Sequence, residues 1–287
     1  MPTQRVILWA DTFNNYFFPE TAQAAVEVLA DAGCNVHVPM QHLCCGRPLY
    51  DYGFLDLAKT YLHKVMNTLR DDIEAGTPIV VLEPSCASVF RDELNELMPR
   101  DPLANKLVSQ TFLLSEFLET KVDGYQPPAL KRKALVQGHC HHKAIMRMKS
   151  EQKILEDMQL DYNELASGCC GMAGSFGYEK DKYDVSIKVG ERVLLPAVRK
   201  ADISTIIVAD GFSCKEQVAQ QTSRQALHLA EVIKFAKDNG DHGGPTAYPE
   251  QAFVAPRLRA RKQSMLRAGM ITAGAVAAGL WLLLRKR

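Results

Sequence analysis

One chemical order occurs twice along this chain, and it restricts the possible folds more than any other feature. In the first half an apolar run (RVILW, 5–9) is followed by L-C-C-G at 43–46, a long helical stretch, a second apolar run (IVVL, 79–82) and P-S-C at 84–86. In the second half KALVQ at 133–137 is followed by G-C-C-G at 168–171, a helical stretch over 179–200, STIIVAD at 204–210 and F-S-C at 212–214. Short apolar runs bounded by turn residues read as buried strands. Residues 53–75 place Leu55, Ala58, Tyr61, Leu62, Val65 and Leu69 on one helical face. A further helix is expected from Pro19 to Gly33, with Pro just inside its start and Gly just past its end, then a strand over CNVHV at 34–38. Ser85 is the expected cap of the helix after IVVL. A helix is expected from Ser213 and another through QALHLAEVIKFAKD. Strand–helix alternation of this kind predicts an α/β fold with largely parallel sheets. The turn-rich VDGYQPP at 122–128 separates the halves, giving units over 1–122 and 129–239, and a Gly/Pro-rich composition from Gly240 predicts a linker over 240–264.

The eight cysteines need a chemical explanation. Arg5, Asp11 and Glu20 interrupt any apolar run near the N-terminus, so no export signal is read there and a reducing compartment is expected. In that setting cysteines serve as metal ligands or redox groups more often than as disulfides. Adjacent cysteines rarely pair with each other, because their Cβ vectors diverge. A net charge of +1 offers no overall field for nucleic acid.

In an open parallel sheet, ligands bind beyond the carboxyl ends of the strands. Cys140, Cys169, Cys170 and Cys214 each follow a predicted strand or lie in a loop, so all four can converge there. Four thiolates at one point suit an iron–sulfur cluster or a structural zinc. Adjacent cysteines fit a cluster better than one tetrahedral ion, and the C-x₂-C pairs of zinc ribbons are missing, so zinc is the alternative. Cys44, Cys45 and Cys86 make either a three-cysteine site with a fourth ligand such as His42, or a degenerate copy. Gly46, Gly171, Gly174 and Gly177 let the backbone approach the sulfur atoms and aim N–H groups at them. Cys34 falls in a predicted strand and reads as a core residue, while His139, His141 and His142 read as hydrogen-bonding or solvated neighbours of Cys140. GMAGSFG lacks the strand–turn spacing of a dinucleotide fingerprint, and a thiol nucleophile or thiol/disulfide reductase is a minor alternative.

Ala268–Leu284 is a run of seventeen uncharged residues between RLRARKQSMLR and Arg285-Lys286-Arg287. That is the short end of the about 17–25 residues a spanning helix needs. A hydrophobic membrane-anchor helix is therefore expected over 265–287, with Trp281 at an interface. The expected location is the cytoplasmic side of the cell membrane.

The stretches DTFNNYF-P, LCCGRPLYDYG, EPSCASVFRDEL, GHCHHKA, GCCGMAGSFGYE and ADGFSCKEQ together resemble the cysteine-rich CCG domain, over roughly residues 5–235. That domain occurs in heterodisulfide reductase, in iron–sulfur subunits of glycolate oxidase, lactate utilisation and anaerobic glycerol-3-phosphate dehydrogenase, and at the C-terminal part of FAD-linked oxidase/iron–sulfur fusion proteins. The resemblance implies two tandem Rossmann-like repeats carrying an iron–sulfur cluster of the 4Fe–4S type. It implies electron transfer from a flavin that oxidises a 2-hydroxy acid or similar substrate towards a quinone or another carrier. Carried over by position, Cys140, Cys169, Cys170 and Cys214 are ligands of the second motif, and Cys44, Cys45 and Cys86 of the first. The full motif has five cysteines. Here the leading one of motif one falls at Asp11 or Thr12, and Gly211 stands at the first closing position of motif two. Glu83 or Val89 does so in motif one. These departures argue against the five-thiolate cluster and disulfide reduction. FAD and a ferredoxin-type subunit are expected on partners, since the sequence holds no ferredoxin cysteine run.

Overall fold

The computed structural model of the chain describes residues 4–241, 243–244 and 247–284, the last ten by backbone alone. Seven strands form two parallel sheets. The first has the order β2-β1-β3-β4, from β1 (Gln4–Trp9), β2 (Cys34–His37), β3 (Ile79–Val81) and β4 (Thr111–Leu113). The second has the order β6-β5-β7, from β5 (Lys133–Val136), β6 (Asp161–Glu164) and β7 (Ile206–Val208). Every named pairing is parallel, and Leu227 bridges Val208 on the outer side of β7, where the first sheet has β4.

Burial on both faces explains why β1, β3, β5 and β7 read as apolar runs. Val6–Trp9 and Ile79–Val81 are at most 1% exposed, and Ile206–Val208 likewise. Trp9 meets Phe90 edge-on at 4.9 Å in the core of the first repeat. Each sheet reverses its strand order at its first strand, between β2 and β3 and between β6 and β7. Crevices open beyond the carboxyl ends of the strands at such points.

Helix Pro19–Asp31 of the first repeat packs against helix Leu229–Asn239 of the second. Lys234 bridges to Glu27 at 2.6 Å, and the buried Lys215 reaches both Glu231 at 3.0 Å and Thr21 Oγ1 at 3.2 Å. Both sheets thus belong to one unit, Met1–Glu250.

Several local expectations are corrected. The stretch 53–75 is two helices, Leu55–Thr68 and Arg70–Glu74, and 179–200 is also two, Tyr183–Gly190 and Leu194–Lys200. Glu83, not Ser85, caps helix Pro84–Ser88: its carboxylate accepts the Ser85 N–H, and Pro84 at the first helical position has no N–H to satisfy. The linker expected over 240–264 ends at Glu250, because Gln251–Leu284 forms a helix in a second unit, Gln251–Arg287. Among the described residues no helix is long and apolar enough to cross a membrane. Arg257, Arg259, Arg261, Lys262 and Arg267 occupy the first half of that helix, leaving only a short uncharged run behind them. The spanning-helix expectation is thus not supported. The Trp281 side chain and Arg285–Arg287 lie outside the described residues.

Candidate metal centre

Each sheet delivers its cysteines to the crevice at its own switch point. In the first repeat, Gly46 takes φ +84° and starts helix Arg47–Asp51, directly after Cys44 and Cys45. Cys86 sits in the first turn of the helix that follows β3, and its Sγ lies 3.1 Å from Sγ of Cys45. Both thiols are buried. Asp11 follows β1 at only 1% exposure and caps helix Thr12–Tyr16 through the Phe13 and Asn14 N–H groups. Burial, reinforced by Glu83, pushes the Asp11 carboxyl up to about 6. His42, one option for a fourth ligand, is exposed and sets its ring against Tyr16. Asp11 and Glu83 are buried acidic groups at this site, and Asp11 stands where the leading cysteine of the family motif would be.

In the second repeat Cys140 follows β5, Cys169 and Cys170 follow β6, and Cys214 lies in the first turn of helix Phe212–Gln221 after β7. The Cys140 and Cys170 thiols both hydrogen-bond Cys169, which also accepts the Gly171 N–H at 3.3 Å. These contacts hold the Cys169 thiol far below its ordinary value, while the Cys140 thiol is driven up by its bond to Cys169 and then by burial, and the Cys170 thiol by its bonds to Cys169 and Cys214 and then by burial. Packed thiols can share only a little negative charge among themselves. Full ionisation of such a set needs cations at the centre, which is what a thiolate-bound metal supplies. Gly46 makes the matching contact in the first repeat, its N–H pointing at Cys44 Sγ at 3.5 Å.

The two groups open on one cleft. Cys44, Cys45, Cys86, Cys140, Cys169 and Cys170 all line one cleft of about 720 Å³ between the repeats, with Cys214 buried behind. Phe13 stacks on Phe212 across the repeats at 4.0 Å, and the Phe212 N–H donates to Glu83 at 2.7 Å. Tyr52 joins the first repeat to Glu179 of the second at 2.9 Å. Burial keeps His139 and His141 neutral, each pulled down to about 4.

The glycines divide by cause. A Cβ on Gly171 would meet the Ser186 carbonyl oxygen at 2.1 Å, and one on Gly177 would meet Met172 Sδ at 2.4 Å. Both are therefore required by the packing of the chain on itself, although Gly171 also serves Cys169. Gly174 has φ +64° with nothing nearer than Asp51 Oδ2 at 3.9 Å, so its backbone alone requires glycine. A Cβ on Gly211 would sit 2.2 Å from His139 Cδ2, so the imidazole fills the space at the missing closing position. Cys34 is a buried residue of β2, as expected.

Two parallel α/β repeats that bring adjacent cysteines to a common cleft define a tandem cysteine-rich protein with a thiolate site. The family profile described as "CCG: Cysteine-rich domain" matches residues 11–91 and 139–219. The chain belongs to this family. It is 28% identical over 240 residues to a subunit of the anaerobic glycerol-3-phosphate dehydrogenase of Escherichia coli (strain K12), covering 81% of this chain and 59% of that one. It is 28% identical over 244 residues to lactate utilization protein A of Bacillus subtilis (strain 168), covering 80% and 98%. Against D-2-hydroxyglutarate dehydrogenase of Pseudomonas putida the identity is 26% over 237 residues, covering 81% and 23%. The chain thus matches less than two thirds of the length of some of these relatives and nearly all of others.

Proposed function

We propose that this chain is the iron–sulfur electron-transfer subunit of a flavin-dependent dehydrogenase acting on a 2-hydroxy acid or a similar substrate. The observation that carries the reading is the convergence of cysteines from both repeats on one cleft. The names of the relatives supply the chemical setting, since they are a dehydrogenase, part of another dehydrogenase and a lactate utilization protein. In this reading Cys140, Cys169, Cys170 and Cys214 hold one cluster. Cys44, Cys45 and Cys86, with Asp11 beside them, form the second donor set. A bound iron–sulfur cluster, of the 4Fe–4S type in this proposal, supplies one-electron storage.

The remaining work falls to the residues of the chain. The Gly46 and Gly171 N–H groups stabilise negative charge on sulfur. Neutral His139 and His141 add no competing positive charge, and the stacked Phe13 and Phe212 limit water at the cleft wall. Electrons would arrive from an FAD-bearing partner, with a ferredoxin-type subunit as a further link, and leave towards a quinone or another carrier. We also propose a location at the cytoplasmic face of the membrane, supported by the basic stretch before the uncharged run 268–284.

Anaerobic purification with iron, sulfide and zinc analysis tests the cofactor. A coloured protein with iron and sulfide is expected, and Cys169→Ser should bleach it. Colourless protein holding zinc on its cysteines would overturn the assignment. Copurification should recover a flavoprotein. Removing residues 265–287 should move the chain from the membrane to the soluble fraction, and unchanged fractionation would remove the location.

A further inference from the structure

Behind the cysteine loops of the second repeat lies a second group of ligating side chains that no thiol enters. His142, two residues beyond Cys140, is 1% exposed. Glu151, from helix Lys149–Asp157, is 2% exposed, and Asp210, just after β7, is 8% exposed. One donor atom from each of the three lies within 4.8 Å of the other two. His142 Nδ1 and Glu151 Oε2 stand 3.4 Å apart, and Glu151 Oε2 has no hydrogen-bond partner among the described residues. Nε2 of His142 is likewise without one. Two lone-pair atoms at that separation, not joined by a hydrogen bond, match one edge of a tetrahedron around an ion with bonds of about 2.1 Å.

The surroundings support a cation. Two carboxylates placed side by side out of water repel each other strongly unless a proton or a cation stands between them, and burial and Asp210 push the Glu151 carboxyl up. The other histidine here is not free to ligate. His228 accepts the Ala230 N–H at Nδ1 (3.0 Å), so its proton is on Nε2, which lies 3.1 Å from the Leu82 carbonyl oxygen of the first repeat. It stands 3.6 Å from Asp210 Oδ1 as an outer partner. The Leu229 N–H donates to that same oxygen at 2.9 Å and fixes the carboxylate. Orientation of ligands by such outer contacts is the usual construction of a metal site.

We propose that His142, Glu151 and Asp210 form a structural site for a divalent first-row cation of the zinc class, separate from the thiolate cleft. One imidazole and two carboxylates make a borderline-to-hard donor set, unlike the soft cysteines in front of it. The ion would tie three segments together: the turn bearing Cys140, helix Lys149–Asp157, and the loop that leads from β7 to Cys214. It would hold the cysteine loops of the second repeat at fixed spacing whether or not those cysteines carry iron.

The test uses the full chain with Cys44, Cys45, Cys86, Cys140, Cys169, Cys170 and Cys214 replaced by serine, so that thiolate binding is removed. After incubation with zinc sulfate and gel filtration, one zinc per chain and a raised Tm are expected. Glu151→Gln and Asp210→Asn keep the shape but remove a charged donor. Each should weaken binding by more than the about 10–100-fold that loss of an outer partner costs. If the serine chain is not folded, the same comparison is made on the anaerobically isolated protein, where the unsubstituted chain should carry a zinc that Glu151→Gln lacks. Folded protein that holds no zinc, or equal zinc in the Gln and Asn variants, would overturn the site. The first result would leave a proton shared between the carboxylates as the explanation of the cluster.

Discussion

Gly171→Ala offers the sharpest test of the packing behind the paired cysteines. Gly171 has φ +98°, a conformation L side chains rarely adopt, and strain of that kind costs about 1–3 kcal/mol. Its new Cβ would lie 2.1 Å from the Ser186 carbonyl oxygen and 3.2 Å from Gln217 Nε2. That carbonyl belongs to helix Tyr183–Gly190 and accepts from Gln217 at 3.3 Å, so relief requires moving a helix. Overpacking adds about 1–3 kcal/mol. The expected loss is therefore about 2–6 kcal/mol, a large part of the 5–15 kcal/mol typical of a folded domain. Gly168→Ala, three residues away, is the control: nothing lies within 4 Å and its φ is not positive, so its effect should stay within about 0.5 kcal/mol. Urea unfolding of both variants under reducing, metal-free conditions reads the difference directly. Equal midpoints for the two alanine variants would show that the loop is free to move and that the close approach is not a constraint.

Asp11 makes a pH prediction. Its carboxyl rises from 3.8 to about 6 on folding, so the native state binds the proton better and loses stability as pH climbs from about 4 through about 6. In the metal-free chain Asp11→Asn keeps an acceptor oxygen. It should gain up to about 3 kcal/mol at pH 7 and nothing below about pH 3.5; a difference constant over that range would refute the assignment. Lys215→Met leaves Glu231 buried without its countercharge and should cost about 3–5 kcal/mol by chemical denaturation. Lys215→Met with Glu231→Leu should cost much less, and equal losses would show that the pair is not coupled. Gly211→Cys, which restores the family's closing cysteine, should destabilise through contact with His139, and His139→Ala should relieve it. Additive effects in that double-mutant cycle would rule out the contact.

How far the sequence predicts this fold depends on where each element lies. Buried central strands such as Ile79–Val81 and Ile206–Val208 are visible because both faces are covered, so the run is wholly apolar. Asp161–Glu164 gives no such signal, since it is an edge strand with no buried residue, and Thr111–Leu113 is too short to show a period. The cysteines stand out in the sequence as ligand candidates by their types and spacing. Their gathering into one cleft was not, because it depends on helix Pro19–Asp31 meeting Leu229–Asn239, a contact that no local pattern encodes. The same holds for His142, Glu151 and Asp210. They come from three separate segments and read singly as loop solvation or a polar helix face.

The division of the cleft between two repeats has a consequence in time. Trp9 and Ser213, the first and last residues of the chain to line it, lie about 200 residues apart. At 5–20 residues per second, synthesis of that interval takes roughly 10–40 s. During that interval the first repeat can fold on the ribosome with its side of the cleft not yet covered by Cys140 and Cys169. In the proposed reading, metal delivery to the completed cleft follows translation, and until then the early thiols depend on the reducing power of their surroundings.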